Sequence, residues 1–431
     1  MKSAWRPIIE GSLRNEVNEI IMAVAKVFRK YELGDFAQND DLKEPYFSLR
    51  KPSLYGGQAG VAVFYTYLAQ IRPGEGHEKS AIFFLNQAIQ EITSALSAPS
   101  LSNGFIGVAW ATEYIRQRIQ VDDLGDPNES VDNALRILLS RFPWKGSYDP
   151  INGLVGIGIY LLERVPDPVA VECLELIIEH LYENAEFSSK GTTWHTRPET
   201  MIQEGRELYP EGYYNLGLAH GIPGIISFLG QICLAGISAD RPYDLLQGAV
   251  SWLLSQKLNC QGSSFYMGIE KDKDKEPQLA RSAWCYGNPG IAAALLTAAR
   301  CVKEPQWESE AIEIGRIAAE RPPDEAGVID PGICHGASGL GHIFNRIFQV
   351  TGETDFKHAA QYWFKRTVAL RRTAGATTGF YAKTLDDDGE KIWTEFPGIL
   401  IGTAGISMAL LGAISSIEPD WDRMILLSAP Y

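Results

Sequence analysis

The chain has 431 residues, 45% of them hydrophobic and 21% charged, with a formal net charge of -14. That much apolar material builds a large core, and the acidic balance argues against a nucleic-acid partner, because phosphate backbones are bound by clustered Lys and Arg. The start, Met1 to Gly11, lacks the apolar stretch of a signal peptide, and no run approaches the roughly 20 apolar residues of a membrane span; a cytoplasmic protein with no transmembrane segment is expected.

Taken in chain order, segments with an apolar stripe and a charged back predict helices over 13–32, 81–97, 129–142, 167–185, 242–258, 307–321 and 355–372. Asp167-Pro168 is a start signal, an acidic cap before a proline at the first helical position. Between these segments a Gly-x-x-Gly turn recurs seven times, beginning at Gly57, Gly104, Gly153, Gly221, Gly287, Gly336 and Gly402, in steps of 47, 49, 68, 66, 49 and 66 residues. Each turn leads into a segment that is apolar nearly all round, such as Ile291 to Ala299 or Ile406 to Ile414, and a helix without a polar face is a buried one.

A repeat of this length is a supersecondary unit that buries its face only against its neighbours. Seven buried helices alternating with seven amphipathic ones place one set inside the other, and closing the array leaves no inner helix bare. The predicted fold is therefore all-α: an α/α toroid of seven inner and seven outer helices, in a single domain over 1–431. Strand signal is confined to Ser263–Gly268 and Gly379–Thr384. Two long insertions, about 186–215 and 261–281, are expected as loops, long enough to form a wall beside a site; the charge run Glu270–Pro277 reads as solvated. All seven turns gather at one end, where the inner helices aim partly positive N-termini into a shared basin.

The residues just before the glycines show which turns carry chemistry. Turn three offers Asp149, turn four His220, turn five Arg281, Cys285 and Tyr286, and turn six Cys334 and His335. Two thiolates and one imidazole, Cys285, Cys334 and His335, make a three-ligand zinc site with a free fourth position, the arrangement of a catalytic zinc. Their spacing is not a local Cys-x-x-Cys pair; the argument is that they occupy equivalent points of adjacent turns. His220 reads equally as a packed histidine, Asp149 as a cap of its own turn and Arg281 as a salt-bridge partner. Cys173, Cys233 and Cys301 lie among apolar residues and read as packing thiols; His77, His180, His195, His342 and His358 lie off the armed positions and read as structural.

Trp284-Cys285-Tyr286-Gly287-x-Pro289-Gly290, Cys334-His335-Gly336-x-x-Gly339, Gly217-Leu-Ala-His220-Gly221 and the sevenfold turn, together with the closing Trp421 to Ser428, resemble the lanthionine synthetase C-like proteins nearly end to end. The resemblance implies an α/α toroid, a Zn2+ ion held by Cys285, Cys334 and His335, and active-site positions for His220, Asp149, Arg281 and Tyr286. It implies a cyclase that adds cysteine thiols of a dehydrated, leader-bearing precursor peptide to dehydroalanine or dehydrobutyrine, forming (methyl)lanthionine rings. His220 is the expected acid–base group, with Asp149 orienting it and Arg281 stabilising an enolate oxygen. A dehydratase and a transporter are the expected partners, with the inner membrane reached through that complex. Two alternatives accompany this reading: members of the family that add glutathione to dehydroamino acids in proteins, and a non-catalytic thiol-peptide scaffold, against which the armed turns argue.

Overall fold

In a computed structural model the chain is described over residues 5–33, 51–94, 97–120, 125–238, 240–258, 263–270, 279–372, 376–385 and 390–430. It divides into two compact units, Met1–Pro127 with Val328–Trp421, and Asn128–Gly327 with Asp422–Tyr431. The expected solvated run at Glu270–Pro277 lies outside the described residues after its first position, as does Cys260.

The first unit opens with α1 (Gly11–Glu32), α2 (Gln58–Ile71), α3 (His77–Thr93) and α4 (Phe105–Arg116). The second holds α5 (Glu129–Leu139), α6 (Leu154–Arg164), α7 (Pro168–Glu183), α8 (Gln203–Leu208), α9 (Ile222–Ala235), α10 (Arg241–Leu254), α11 (Asn288–Val302) and α12 (Pro305–Glu320). The first unit resumes with α13 (Ala337–Thr351), α14 (Thr354–Ala369) and α15 (Thr403–Ile414). Apart from the short α8, these are the expected seven and seven. The first glycine of each turn is the N-cap of α2, α4, α6, α9, α11, α13 and α15. Every residue of α15 is buried, whereas α5 buries only Asp132, Leu135 and Leu139. Asp167 caps α7 as expected, accepting from the Val169 and Ala170 N–H groups at 2.9 and 3.2 Å.

Two features of the turns explain the glycines. At Gly339 a Cβ would run into the Ile333 carbonyl, and at Gly287, whose φ is +96°, into the Arg281 carbonyl; in both cases the blocking residue lies six positions upstream. The loop thus folds back onto the helix start, and its carbonyls take the first N–H groups: Ala337, Ser338 and Gly339 donate to Asp330, Pro331 and Gly332 at 2.9, 3.2 and 3.3 Å. This changes one expectation. The N–H groups expected to favour anions in a basin are occupied by their own loop carbonyls.

Equivalent residues of neighbouring turns are joined by backbone hydrogen bonds. Within the first unit Cys334 N–H donates to Leu400 O (2.7 Å), Ile399 N–H to Tyr55 O (2.8 Å) and Tyr55 N–H to Ser102 O (3.3 Å). The helices follow: α13 packs on α15, α15 on α2 and α2 on α4, so the last glycine helix lies against the first. A cluster of Phe28, Phe64, Tyr65 and Phe84 ties α1 and α3 to α2. In the second unit Ala219 N–H donates to Cys285 O (3.4 Å), α6 packs on α9 and α9 on α11, with α7, α10 and α12 against them.

The two expected strand positions each find an antiparallel partner. Tyr381–Leu385 pairs with Lys391–Glu395, and Gly268–Ile269 pairs with Tyr214–Asn215. The 186–215 insertion, expected as loop, holds more order than its composition suggests: a hairpin of Glu186–Ser188 and Gly191–Thr193, then α8. The hairpin seats on α10 where Gly191 and Gly248 meet without side chains, a tertiary contact that local sequence does not announce.

Candidate active site

Asp149 lies in the loop that caps α6, and its carboxylate does two jobs. Oδ1 accepts from the Ile151 and Asn152 N–H groups at 2.9 and 2.7 Å, closing the turn. Oδ2 faces His220 Nδ1 at 3.0 Å. Both readings of Asp149, turn cap and histidine partner, hold at once. Asp149 is buried, while the His220 side chain keeps 41% exposure.

Burial pushes the Asp149 carboxyl up, but the hydrogen bond and charge of His220, with the turn's donors, outweigh it and the net shift is downward. Burial pushes His220 down, and Asp149 followed by Cys285 outweighs that, so the net shift is upward. Asp149 thus favours the charged imidazole beyond what burial alone would allow.

Turn five is pinned from both sides. Trp284, buried, donates from Nε1 to Ile425 O at 2.9 Å in the closing segment, and Cys285 O receives Ala219 N–H. Tyr286 belongs to a network: Asn215 Nδ2 donates to the hydroxyls of Tyr213 at 2.6 Å and Tyr286 at 3.1 Å, while Asn215 Oδ1 accepts from Gly217 N–H at 2.8 Å. Burial raises the Tyr286 phenol, opposed by the hydrogen bonds from Tyr213 and Asn215. A side chain at Gly217 would meet both Cys285 O and the Tyr286 ring, which accounts for the glycine in the Gly217 to Gly221 motif. Arg281 begins the same turn; its Nε is buried with no hydrogen-bond partner, and its side chain packs at Gly327.

In turn six, Cys334 is half-buried and His335 Nε2 faces Asp330 Oδ2 at 3.3 Å. Asp330 is fully buried and spends Oδ1 on Gly332 N–H at 2.9 Å. With Nε2 turned toward this carboxylate at ion-pair distance, Nδ1 is the candidate donor atom, and a carboxylate so placed is the kind of group that orients a metal-bound histidine. Cys285 of turn five, and Cys334 and His335 of turn six, each offer one candidate metal-ligand atom. Two thiols and an imidazole suit zinc, with one coordination position left over.

The other described cysteines behave differently. Burial pushes the thiols of Cys173 and Cys301 up to about 12 and that of Cys233 to about 11, so they stay protonated and pack as apolar groups. His180, whose Nε2 donates to Leu139 O at 2.7 Å, and His342, stacked on Trp421, are fully buried in packing positions.

A cavity of about 400 Å³ opens beside these groups, lined by Asp149, His220, Asn215, Tyr213 and Tyr286 and walled by residues of the 186–215 insertion. Arg281 is not among its lining residues. Sequence reasoning missed Asp330, Asn215 and Tyr213. A signal for two of them exists: the position six before the first glycine carries Ser147, Asn215, Arg281 and Asp330 in turns three to six, and Lys51, Ala98 and Phe396 in the others. All four armed turns carry a polar residue there, a mark they share with Lys51 of turn one.

Glutathione S-transferase LANCL1 of Danio rerio is 23% identical to this chain over 311 residues, covering 70% of the chain and 71% of that protein. The nisin biosynthesis protein NisC of Lactococcus lactis subsp. lactis is 26% identical over 314 residues, covering 68% and 73%. Among solved structures, nisin cyclase aligns over 94% of this chain and 96% of its own with a TM-score of 0.73 at 22% identity, and the shared fold is the expected α/α toroid. No helix among the described residues is long and apolar enough to cross a membrane. The family described as lanthionine synthetase C-like protein matches residues 48–426, through all seven turns, and the chain belongs to it.

Proposed function

We propose that the chain is a zinc-dependent cyclase that adds cysteine thiols of a dehydrated precursor peptide to dehydroalanine or dehydrobutyrine in the same peptide. The observation that carries this reading is the Asp149–His220 pair at the edge of a cavity, on the turn whose Ala219 N–H donates to Cys285 O. Kinship with nisin cyclase adds to it. Cys285, Cys334 and His335 would hold the zinc, which supplies acidification of a substrate thiol when bound.

The chain's own groups do the rest. The sulfur bonds to the β-carbon, the C=C π pair moves to form an enolate, and the α-carbon takes a proton. His220, whose pKa Asp149 raises against the effect of burial, is the proton donor in reach of the cavity. Tyr286, fixed by Asn215, shapes the wall beside it. Arg281 completes the proposed site from turn five and stabilises the enolate oxygen. A leader-bearing peptide, a dehydratase and a transporter are the proposed partners, and the cytoplasm, with the inner membrane reached through that complex, is the proposed location.

A second reading, addition of glutathione to dehydroamino acids in proteins, is favoured by kinship with the LANCL1 transferase. One experiment separates them. Zinc-loaded protein is incubated with a dehydrated, Cys-containing peptide, with and without glutathione, and thiols and masses are followed. Cyclisation consumes the peptide thiol without changing mass; transfer adds the mass of glutathione. His220→Ala is expected to slow cyclisation by about 10²- to 10⁴-fold. No thiol loss above the uncatalysed rate with the wild-type protein would leave the scaffold reading.

A further inference from the structure

The wall of the cavity has a chemical character of its own. Met201, Ile202 and Leu208, at and around α8, line the same cavity as Asp149 and His220, as does Tyr209. Ile202 and Leu208 are 74% and 57% exposed, two aliphatic side chains left in water at the rim of a concave site. Tyr209 stacks on Tyr213 with ring centroids 4.1 Å apart, and Gly268, where a Cβ would strike the Tyr213 ring, lets that ring lie flat over the paired strands. Among the described lining residues none is Lys or Arg, and the one acid, Asp149, is already paired with His220.

Such a surface gains by covering apolar groups, and the one group in its described lining that can carry positive charge, His220, is already paired with Asp149. We propose that this wall selects the substrate: an uncharged aliphatic or aromatic side chain next to the reacting cysteine seats on Met201, Ile202, Leu208 and Tyr209. Anionic thiols are disfavoured by the same wall, glutathione with its two carboxylates among them. The inference rests on the proposed thiol addition at this site, and it favours the peptide over the tripeptide thiol as the thiol donor.

The test has a binding arm and a reaction arm. Two undehydrated peptides, alike except for Leu or Asp beside the cysteine, are titrated into the wild-type protein and into the Ile202→Lys/Leu208→Lys double variant, followed by fluorescence anisotropy. Both substitutions fall on exposed side chains, and thermal melts verify that the variant is folded. The wild type is expected to bind the Leu peptide about tenfold more tightly, and the variant to lose or invert that ratio. Equal affinities in the wild type, or the same ratio in both proteins, overturn the proposal. In the reaction arm the dehydrated forms of both peptides, and glutathione against its N-acetyl diester, which carries neither carboxylate nor ammonium, are compared for thiol consumption. The Leu peptide and the diester are expected to react faster. Preference in binding with no thiol addition by either peptide removes the proposed activity and keeps the wall; addition without preference removes the wall alone.

Discussion

Asp149 holds His220 Nδ1 at 3.0 Å with one carboxylate oxygen while the other oxygen closes its own turn on the Ile151 and Asn152 N–H groups. The loop before α6 and the loop before α9 are thereby joined through a carboxylate–imidazole pair. Asp149→Asn keeps an oxygen for the turn and removes the charge from the imidazole. The His220 pKa is expected to fall, read from its ring-proton shifts in an NMR titration, and cyclisation to slow; an unmoved His220 titration would show that the pair is not what holds the proton.

The same pair fixes a pH dependence of stability in the chelated protein. His220 is raised above its ordinary 6.5, so its share of the stabilisation is complete below that value and is lost as pH rises through the raised pKa. Asp149 is lowered below its ordinary 3.8, so its share is present above that value and is lost as pH falls through the lowered pKa. A double-mutant cycle of Asp149→Asn and His220→Gln by denaturant unfolding should give its largest coupling between pH 3.8 and 6.5, declining on both sides. Coupling that is flat from pH 4 to 9 would contradict this.

Asp330 is expected to govern metal affinity through His335, which it faces at 3.3 Å. Asp330→Asn retains the oxygen that accepts Gly332 N–H and weakens the hold on the imidazole. Zinc affinity measured by chelator competition should fall about 10- to 100-fold, with the melting temperature of the chelated protein little changed. Undiminished affinity would make Asp330 a turn residue only.

Gly217 is expected to tolerate no side chain, because a Cβ there meets Cys285 O and the Tyr286 ring. Gly217→Ala should cost about 1–3 kcal/mol by overpacking, measured by denaturant unfolding, and should depress cyclisation further than the stability loss explains by moving Tyr286 and Cys285. Wild-type rates in a folded Gly217→Ala protein would show that turn five tolerates the shift.

Much of the fold was legible because the glycine period labels equivalent positions. Once Gly287 and Gly336 are recognised as the same point of a repeat, Cys285 and Cys334 fall two residues before each, and the donors declare themselves without any local motif. His220, Tyr286 and His335 likewise share the position directly before the glycine. The wall was legible only as a length. Met201 to Tyr213 carries no helical or strand period, and α8 is too short for one, so its order comes from strand pairing, ring stacking and packing with distant segments.

The sequence by itself determined the alternation of buried and amphipathic helices, the seven turns, and which four of them hold the candidate site residues, since periodicity and glycine sterics act over a few residues. The tertiary structure alone decided partners. Asp149 and His220 are 71 residues apart, as are Asn215 and Tyr286, and a carboxylate or an amide chooses its neighbours by where its atoms point after packing. Asp330 shows the same limit: five residues before His335 it could cap, pair or do both, and only the folded turn aims its second oxygen at the imidazole.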